Sequence, residues 1–257
     1  MKAQPDSSSG NLWFRVGWLI LFVCIWAGVP KAGFGSDVAR AEVEVQEKEP
    51  FEDRRVVVPD PLESWNRAVF SFNDRFYFWF AKPVAQVYGA VLPEGLRICV
   101  RNSFDNLAMP VRFVNNVLQG KLQPAGVEIG RFVINSTIGF GGFFEIAARD
   151  FDLQPYDEDS GQTLGFYGMP GVFYINWPFL GPSTFRDSLG RAGDYFLNPL
   201  HYLSPDIYSS AGLRVGKEFN EISLRIGQYE DFKKSAVDPY VSMRDAYIQH
   251  RAGEIRR

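Results

Sequence analysis

Residues 60–82 read DPLESWNRAVFSFNDRFYFWFAK, and this stretch decides the fold class. Asp60 is placed to cap a helix, Pro61 suits the first helical position, and Glu63 completes a capping-box pattern. Apolar residues then recur in steps of three and four at Leu62, Trp65, Val69, Phe72, Phe76 and Trp79, one continuous helical stripe. Phe70, Tyr77, Phe78 and Phe80 lie off that stripe, so the helix needs burial on more than one side. From 62 to 80, at about 1.5 Å per residue, it is about 28 Å long, close to the roughly 30 Å of a bilayer's hydrocarbon core. Asp74 and Arg75 fall mid-helix, where charge in lipid is costly, so the helix is not expected to span. It lies in one leaflet or lines a polar interior.

Outward from this helix, prolines divide the chain into short helical segments. Pro83, Pro93, Pro110 and Pro124 each open one, and Gly120 and the GFGG run at 139–142 supply stop signals. The run lacks the Lys-Ser/Thr pair of a phosphate loop, which leaves a helix stop with close backbone packing, or a flexible joint. Residues 150–159 (DFDLQPYDED) read as a solvated acidic loop without EF-hand spacing. Between 164 and 177 a Met169-Pro170-Gly171 turn signal separates two apolar stretches, and Phe173, Ile175 and Trp177 alternate as a strand does, which predicts a short β-hairpin. Helices resume after Ser183, read as a cap. Val215, Phe219, Ile222, Ile226 and Tyr229 form a periodic face over about 210–233, and Asp238-Pro239 starts a last helix.

Towards the N-terminus, residues 42–58 are charged and aperiodic, a linker into the domain. Residues 16–28 form an uncharged apolar run after Arg15, too short to span and suited to a signal-peptide core. Ala39 and Ala41, or Gly33 and Gly35, supply the small residues of a cleavage site. The expected organisation is a signal peptide over 1–41, a linker over 42–58, a helical domain over 59–250 and a tail over 251–257. Cys24 follows Phe22 and Val23 and is followed by Ile25 and Trp26, a poor setting for lipidation. Cleavage leaves Cys99 alone, with no intramolecular disulfide to make.

Lys and Arg number 27 against 30 Asp and Glu, a balance that gives no electrostatic footprint for nucleic acid. The 23 Phe, 11 Tyr and 6 Trp are too much ring surface to ignore; they fill a core or face a bilayer or a partner. His201 and His250 lack metal-ligand spacing, no CxxC or HExxH occurs, and Gly181-Pro182-Ser183-Thr184-Phe185 fails as a serine-hydrolase elbow at its last position. No cofactor or metal is expected, and the chain is not expected to be an enzyme. No nucleotide-binding motif is present to drive transport.

Residues 161–187, GQTLGFYGMPGVFYINWPFLGPSTFRD, carry a family resemblance. Gly161, Leu164, Gly165, Tyr167, Gly168, Pro178, Gly181, Pro182, Ser183, Arg186 and Asp187 resemble the signature block of MlaA/VacJ proteins. Asp60-Pro61-Leu62-Glu63 with Trp65-Asn66-Arg67, residues 131–142, and Asp238-Pro239-Tyr240 extend the likeness over roughly 59–248. The resemblance implies a mainly α, ring-like bundle of amphipathic helices in the periplasmic-side leaflet of the outer membrane. It also implies an amphipathic channel, association with a trimeric porin, and passage of mislocalised phospholipid to a periplasmic carrier, which maintains lipid asymmetry. Many members are lipoproteins, and this sequence departs from them at Cys24. On that reading Phe72, Phe76, Trp79 and Phe80 contact acyl chains, and Asn73, Asp74, Arg75 and Arg186 face the channel. The alternative for those polar residues is internal hydrogen bonds and ion pairs, with Arg186 and Asp187 paired near a helix end. Two other functions stand beside the lipid channel: a periplasmic lipid hydrolase using Ser183, and a porin-associated structural protein.

Overall fold

The computed structural model describes residues 56–203 and 207–257. The expected signal peptide over 1–41 and most of the expected linker over 42–58 lie outside the described residues. The fold is mainly helical with one two-stranded antiparallel hairpin, as the sequence predicts. No described helix is long and apolar enough to cross a membrane.

Helix α1 (Glu63–Phe76) runs without a break through a π-helical turn (Tyr77–Ala81) into α2 (Lys82–Val91). Pro83 therefore does not open a separate helix. A proline there lacks an N–H and crowds the carbonyl four residues back. The wider π turn, in which the Lys82 N–H donates to the Tyr77 carbonyl, accommodates it. Asp60 does not cap α1 either: Leu62 holds the cap position without a side-chain bond. Pro93 precedes α3 (Glu94–Leu107), Pro110 sits in the first turn of α4 (Met109–Leu118), and Pro124 in the first turn of α5 (Leu122–Thr137). Gly120, at φ +74°, closes α4 in a Schellman arrangement, with Lys121 N–H on the Asn116 carbonyl and Gly120 N–H on that of Val117. The GFGG run stops α5 by close packing, since a Cβ on Gly142 would lie 2.6 Å from that of Asn106.

Helices α6 (Ile146–Phe151) and α7 (Ser160–Phe166) follow. The hairpin lies further on than 164–177. Residues 164–166 are helical, Tyr174–Trp177 (β1) pairs with Gly181–Thr184 (β2), and the turn is Pro178–Leu180, not 169–171. The strand alternation was legible, but the turn carries the apolar Phe179 and Leu180, which conceals it. Thr184, not Ser183, caps α8 (Phe185–Leu197) by accepting the Asp187 N–H. After α9 (Leu200–Leu203), the periodic face of 210–233 is split: α10 (Ile207–Leu224) ends, Gly227 takes φ +102°, and α11 (Gln228–Ser235) begins. Helix α12 (Pro239–Ile255) completes the chain, capped by Asp238.

Residues 56–58 and the C-terminal helix belong to the domain. Gln249 on α12 donates to the Val56 carbonyl (2.8 Å), and Val58 packs against the core of Tyr174, Tyr240 and Ile248, so 56–58 are not linker. Residues 251–257 are not a tail, because Arg251 and Ile255 lie on α12 and pack inward. Packing runs α1 to β1, the hairpin to α8, α8 to α7, then α4, α5, α3, α10, α2 and back to α1. The sequence of contacts closes on itself, a ring-like bundle.

Candidate functional site

The distribution of polarity is inverted relative to an ordinary globular core. The buried face of α1 is Asn66 and Val69, while Trp65 and Phe72 of the predicted apolar stripe are exposed. Seven asparagines are buried, at 66, 106, 115, 116, 135, 176 and 220, together with Glu128 and Arg131. Outside, Trp79 is 82% exposed, Phe179 66%, Phe80 50% and Phe72 45%. Phe76 is half-buried among them: its ring centroid is 4.9 Å from Phe179, 5.3 Å from Phe80 and 6.4 Å from Phe72. The four aromatic residues predicted to contact lipid thus lie along α1 and its π turn, three of them well exposed.

Phe179 belongs to the same surface and was missed. It occupies the hairpin turn at φ +64°, a costly conformation for a bulky residue. Asn73 holds it there, accepting the Phe179 N–H at 2.8 Å and donating to the Trp177 carbonyl at 3.0 Å. The available signal was the apolar pair Phe179-Leu180 between Pro178 and Gly181, where a turn is usually polar.

The polar residues predicted to face a channel are placed elsewhere. Asn73 fixes the hairpin turn. Asp74 accepts from Tyr229 (2.9 Å) and Lys233 (2.7 Å) of α11. Arg75 is exposed. Arg186 is buried and donates to Asp187 at 2.8 Å. None of the four lines the cavity between α3, α4, α5 and α10, which measures about 430 Å³. Its basic lining is Arg101, Arg112, Arg131, Lys217 and Arg225; its acidic lining is Asp105, Glu145, Asp157, Glu218 and Glu221. Burial in this wall raises the Asp105 carboxyl above its ordinary range, opposed by Lys217, Arg112 and Arg101. Arg112 is anchored to fully buried Glu128 at 2.6 Å, and Arg131 to Glu145 at 2.7 Å. A small pocket lined by Asn102, Asn106 and Asn135 shares Asp105, Arg112, Arg131 and Glu145 with this cavity, and a separate groove of about 490 Å³, walled by Ile98, Cys99, Phe143, Phe144 and Ala148, shares Asn102 and Glu145 with that pocket. Sequence reading could not find this lining, because it combines side chains from α3 to α10 with no local pattern.

The motif residues build the seams of the ring. Asp60 accepts from Tyr240 and Arg244, and Asn66 donates to Asp60 (2.8 Å) and to the Tyr174 carbonyl (3.2 Å). Arg67 bonds Asp238 at 3.0 Å over the face of the Tyr240 ring. Three motifs far apart in sequence thus meet at one place. At a second seam Asp187 accepts from Thr184, Arg186, Tyr247 and Arg251. Burial alone would raise the Asp187 carboxyl, but Arg251, the Tyr247 hydroxyl and Arg186 outweigh it and hold it below the ordinary range. Gly161 and Gly190 let α7 and α8 touch backbone to backbone: a Cβ on Gly190 would lie 2.2 Å from the Gly161 nitrogen. Gly165 leaves room for Ile255, and Gly168 and Gly181 take positive φ. Leu164 accepts the Met169 N–H that ends α7, Tyr167 donates to the Leu118 carbonyl, and the Pro182 carbonyl accepts from Arg191. Pro178 opens the hairpin turn. Gly190 carries no less of the packing than the block residues and was overlooked, since a lone helical glycine has no local signature.

The acidic loop is exposed over most of 150–157, as expected, and is tied down at its end. Buried Glu158 accepts from Gln119 and Lys121, and Asp159 caps α7 and binds Arg251. Ser183 is fully buried, with its hydroxyl on the Thr184 carbonyl and 3.1 Å from that of Ser188. Among the described residues no group of His, Cys, Asp and Glu is arranged to hold a metal.

Comparison with known proteins fits this geometry. The family described as MlaA lipoprotein matches residues 58–254. The "Intermembrane phospholipid transport system lipoprotein MlaA" of Escherichia coli is 32% identical over 196 residues, 74% of this chain and 76% of that one. An uncharacterised protein of Rickettsia prowazekii is 32% identical over 199 residues, 77% of each. A solved structure, reported under "Structural basis for maintenance of bacterial outer membrane lipid asymmetry", superposes with a TM-score of 0.68 at 30% identity, covering 76% of this chain and 98% of that one. This chain belongs to the MlaA lipoprotein family.

Proposed function

We propose that this chain is the outer-membrane component of an intermembrane phospholipid transport system. It removes mislocalised phospholipid from the outer leaflet through an amphipathic channel, passes it to a periplasmic carrier, and so maintains lipid asymmetry. The observation that carries this reading is the inverted polarity: aromatic rings face outward, asparagines are buried, and charged side chains surround a cavity of about 430 Å³. Drawing a two-chain phospholipid into water exposes its methylenes at about 0.8 kcal/mol each, on the order of 20 kcal/mol in total. A protein lowers that barrier by giving the headgroup a wet path while the tails stay against lipid or apolar walls. The charged cavity and the apolar groove beside Cys99, which share Glu145, supply the two kinds of lining.

On this reading the chain is a passive conduit rather than an enzyme, and direction comes from the acceptor. A buried Ser183, engaged with Thr184 and Ser188, weighs against the hydrolase alternative. The chain sits in the periplasmic-side leaflet beside a trimeric porin, held by its aromatic surface rather than by an acylated Cys24. Purified protein in vesicles with a soluble lipid-binding acceptor provides the test. Transfer of intact labelled phospholipid is the expected result. Hydrolysed product would replace this reading with a hydrolase, and porin binding without transfer would replace it with a scaffold.

A further inference from the structure

The lining of the cavity is electrically mixed to an unusual degree. On α3, Arg101 and Asp105 are one turn apart; on α10, Lys217 is followed by Glu218 and Glu221, and Arg225 lies just past the helix end. Some of these charges are matched: Arg225 stands 3.4 Å from Glu221, and Lys217 only reaches 4.0 Å from Asp105. Others are not. Arg101 and Glu218 make no ion pair or hydrogen bond among the described residues. Arg131, 6% exposed, lines the cavity; its Nε stands 3.7 Å from Glu128 and makes no hydrogen bond.

We infer that this cavity is a headgroup subsite for zwitterionic phospholipid, the phosphate lying on Arg101 and Arg131 and the ammonium on Asp105 and Glu218. The inference rests on the transport reading above and names its substrate class. A phosphate joined to a neutral glycerol satisfies the arginines and leaves the carboxylates without a cation, whereas a phosphate joined to an ammonium satisfies both signs. Guanidinium groups offer the phosphate directed, paired donors. Specificity of this sort comes from repulsion of the wrong ligand as much as from attraction of the right one.

The test titrates the detergent-purified full chain with two soluble short-chain lipids, dihexanoylphosphatidylethanolamine and dihexanoylphosphatidylglycerol. The ethanolamine lipid is expected to bind about tenfold more tightly. The double substitution Asp105→Asn/Glu218→Gln, at solvent-accessible positions that leave the fold intact by circular dichroism, is expected to weaken the ethanolamine lipid to the level of the glycerol lipid. Equal binding of the two lipids by the unaltered chain, or a double variant that keeps the preference, overturns the subsite. Absence of binding by either lipid, with vesicle transfer intact, overturns the subsite alone. Absence of both binding and transfer overturns the transport reading with it.

Discussion

Replacing Trp79 and Phe179 together by Asp is expected to release the protein from membranes without unfolding it. Aromatic side chains present on the order of 200 Å² each, and Trp79 is 82% and Phe179 66% exposed. At about 25 cal/mol per Å², covering those two surfaces with acyl chains yields roughly 7 kcal/mol. Adding Phe80 at 50% and Phe72 at 45% brings the surface to roughly 12 kcal/mol. A single myristoyl chain, with a partition constant of about 10⁴ M⁻¹, supplies about 5.5 kcal/mol. The aromatic surface therefore exceeds one acyl chain, and the double variant falls below it even before the cost of placing carboxylates near lipid. Folding is spared because both side chains point outward, and Asp adopts the positive φ of position 179 more readily than Phe. Vesicle flotation, paired with circular dichroism, measures the outcome. Unchanged flotation of a folded double variant would refute the assignment of this surface to lipid.

Three further substitutions test the seams and the turns. Gly190→Ala drives a methyl to within 2.2 Å of the Gly161 backbone, so a soluble, folded product at ordinary yield would contradict the close approach of α7 and α8. Asp187→Asn leaves buried Arg186 and Arg251 short of a counter-charge and is expected to cost about 3–5 kcal/mol, roughly 10 °C of thermal midpoint for a domain of this size. Because the folded carboxyl titrates below its ordinary value, its stabilisation is complete above the unfolded pKa and fades as pH falls through the lower folded one. The Asn variant should therefore lose less stability than the native chain below about pH 4 in an acid titration. Val172→Gly relieves a β-branched residue at φ +60° and should raise stability by about 1 kcal/mol in chemical denaturation.

Local signals carried much of the fold. The three-four spacing from Leu62 to Trp79 announced the first helix, and Pro93, Pro110 and Gly120 marked boundaries that the structure keeps, because those rules act through a residue's own backbone. Pro83 misled, since the π turn that absorbs it depends on α11, where Glu230 binds Tyr77 and Lys82. Asp60 looked like a cap and is instead an acceptor for residues nearly the whole chain away, Tyr240 and Arg244. The sense of the amphipathic stripe was the subtler matter. Periodicity locates a face but does not say whether it turns inward or outward, and the burial of Asn66 beside exposed Trp65 shows that most of this one turns outward. The cavity escaped for the same reason that Arg251 passed for tail: its charges are assembled by tertiary contact alone.

A bundle built around a wet opening cannot rely on the collapse of apolar side chains into one centre. On the proposed reading its apolar surface faces lipid, so burying more of it would add little driving force for ring closure. Closure must then come from directional bonds and close backbone contact. That is where the recognisable motifs lie. Asp60, Asn66, Arg67, Asp238 and Tyr240 tie the first helix to the last, and Asp159, Asp187 and Arg251 tie the last to the hairpin and its helix, with Gly161 on Gly190 removing the side chains between. Such bonds are strengthened where water is scarce and are costly when half-made. The family-like residues at these seams are thus polar or glycine because they hold the ring closed, while the charged residues that line the cavity take no part in those bonds and are the ones to which we assign the choice of headgroup.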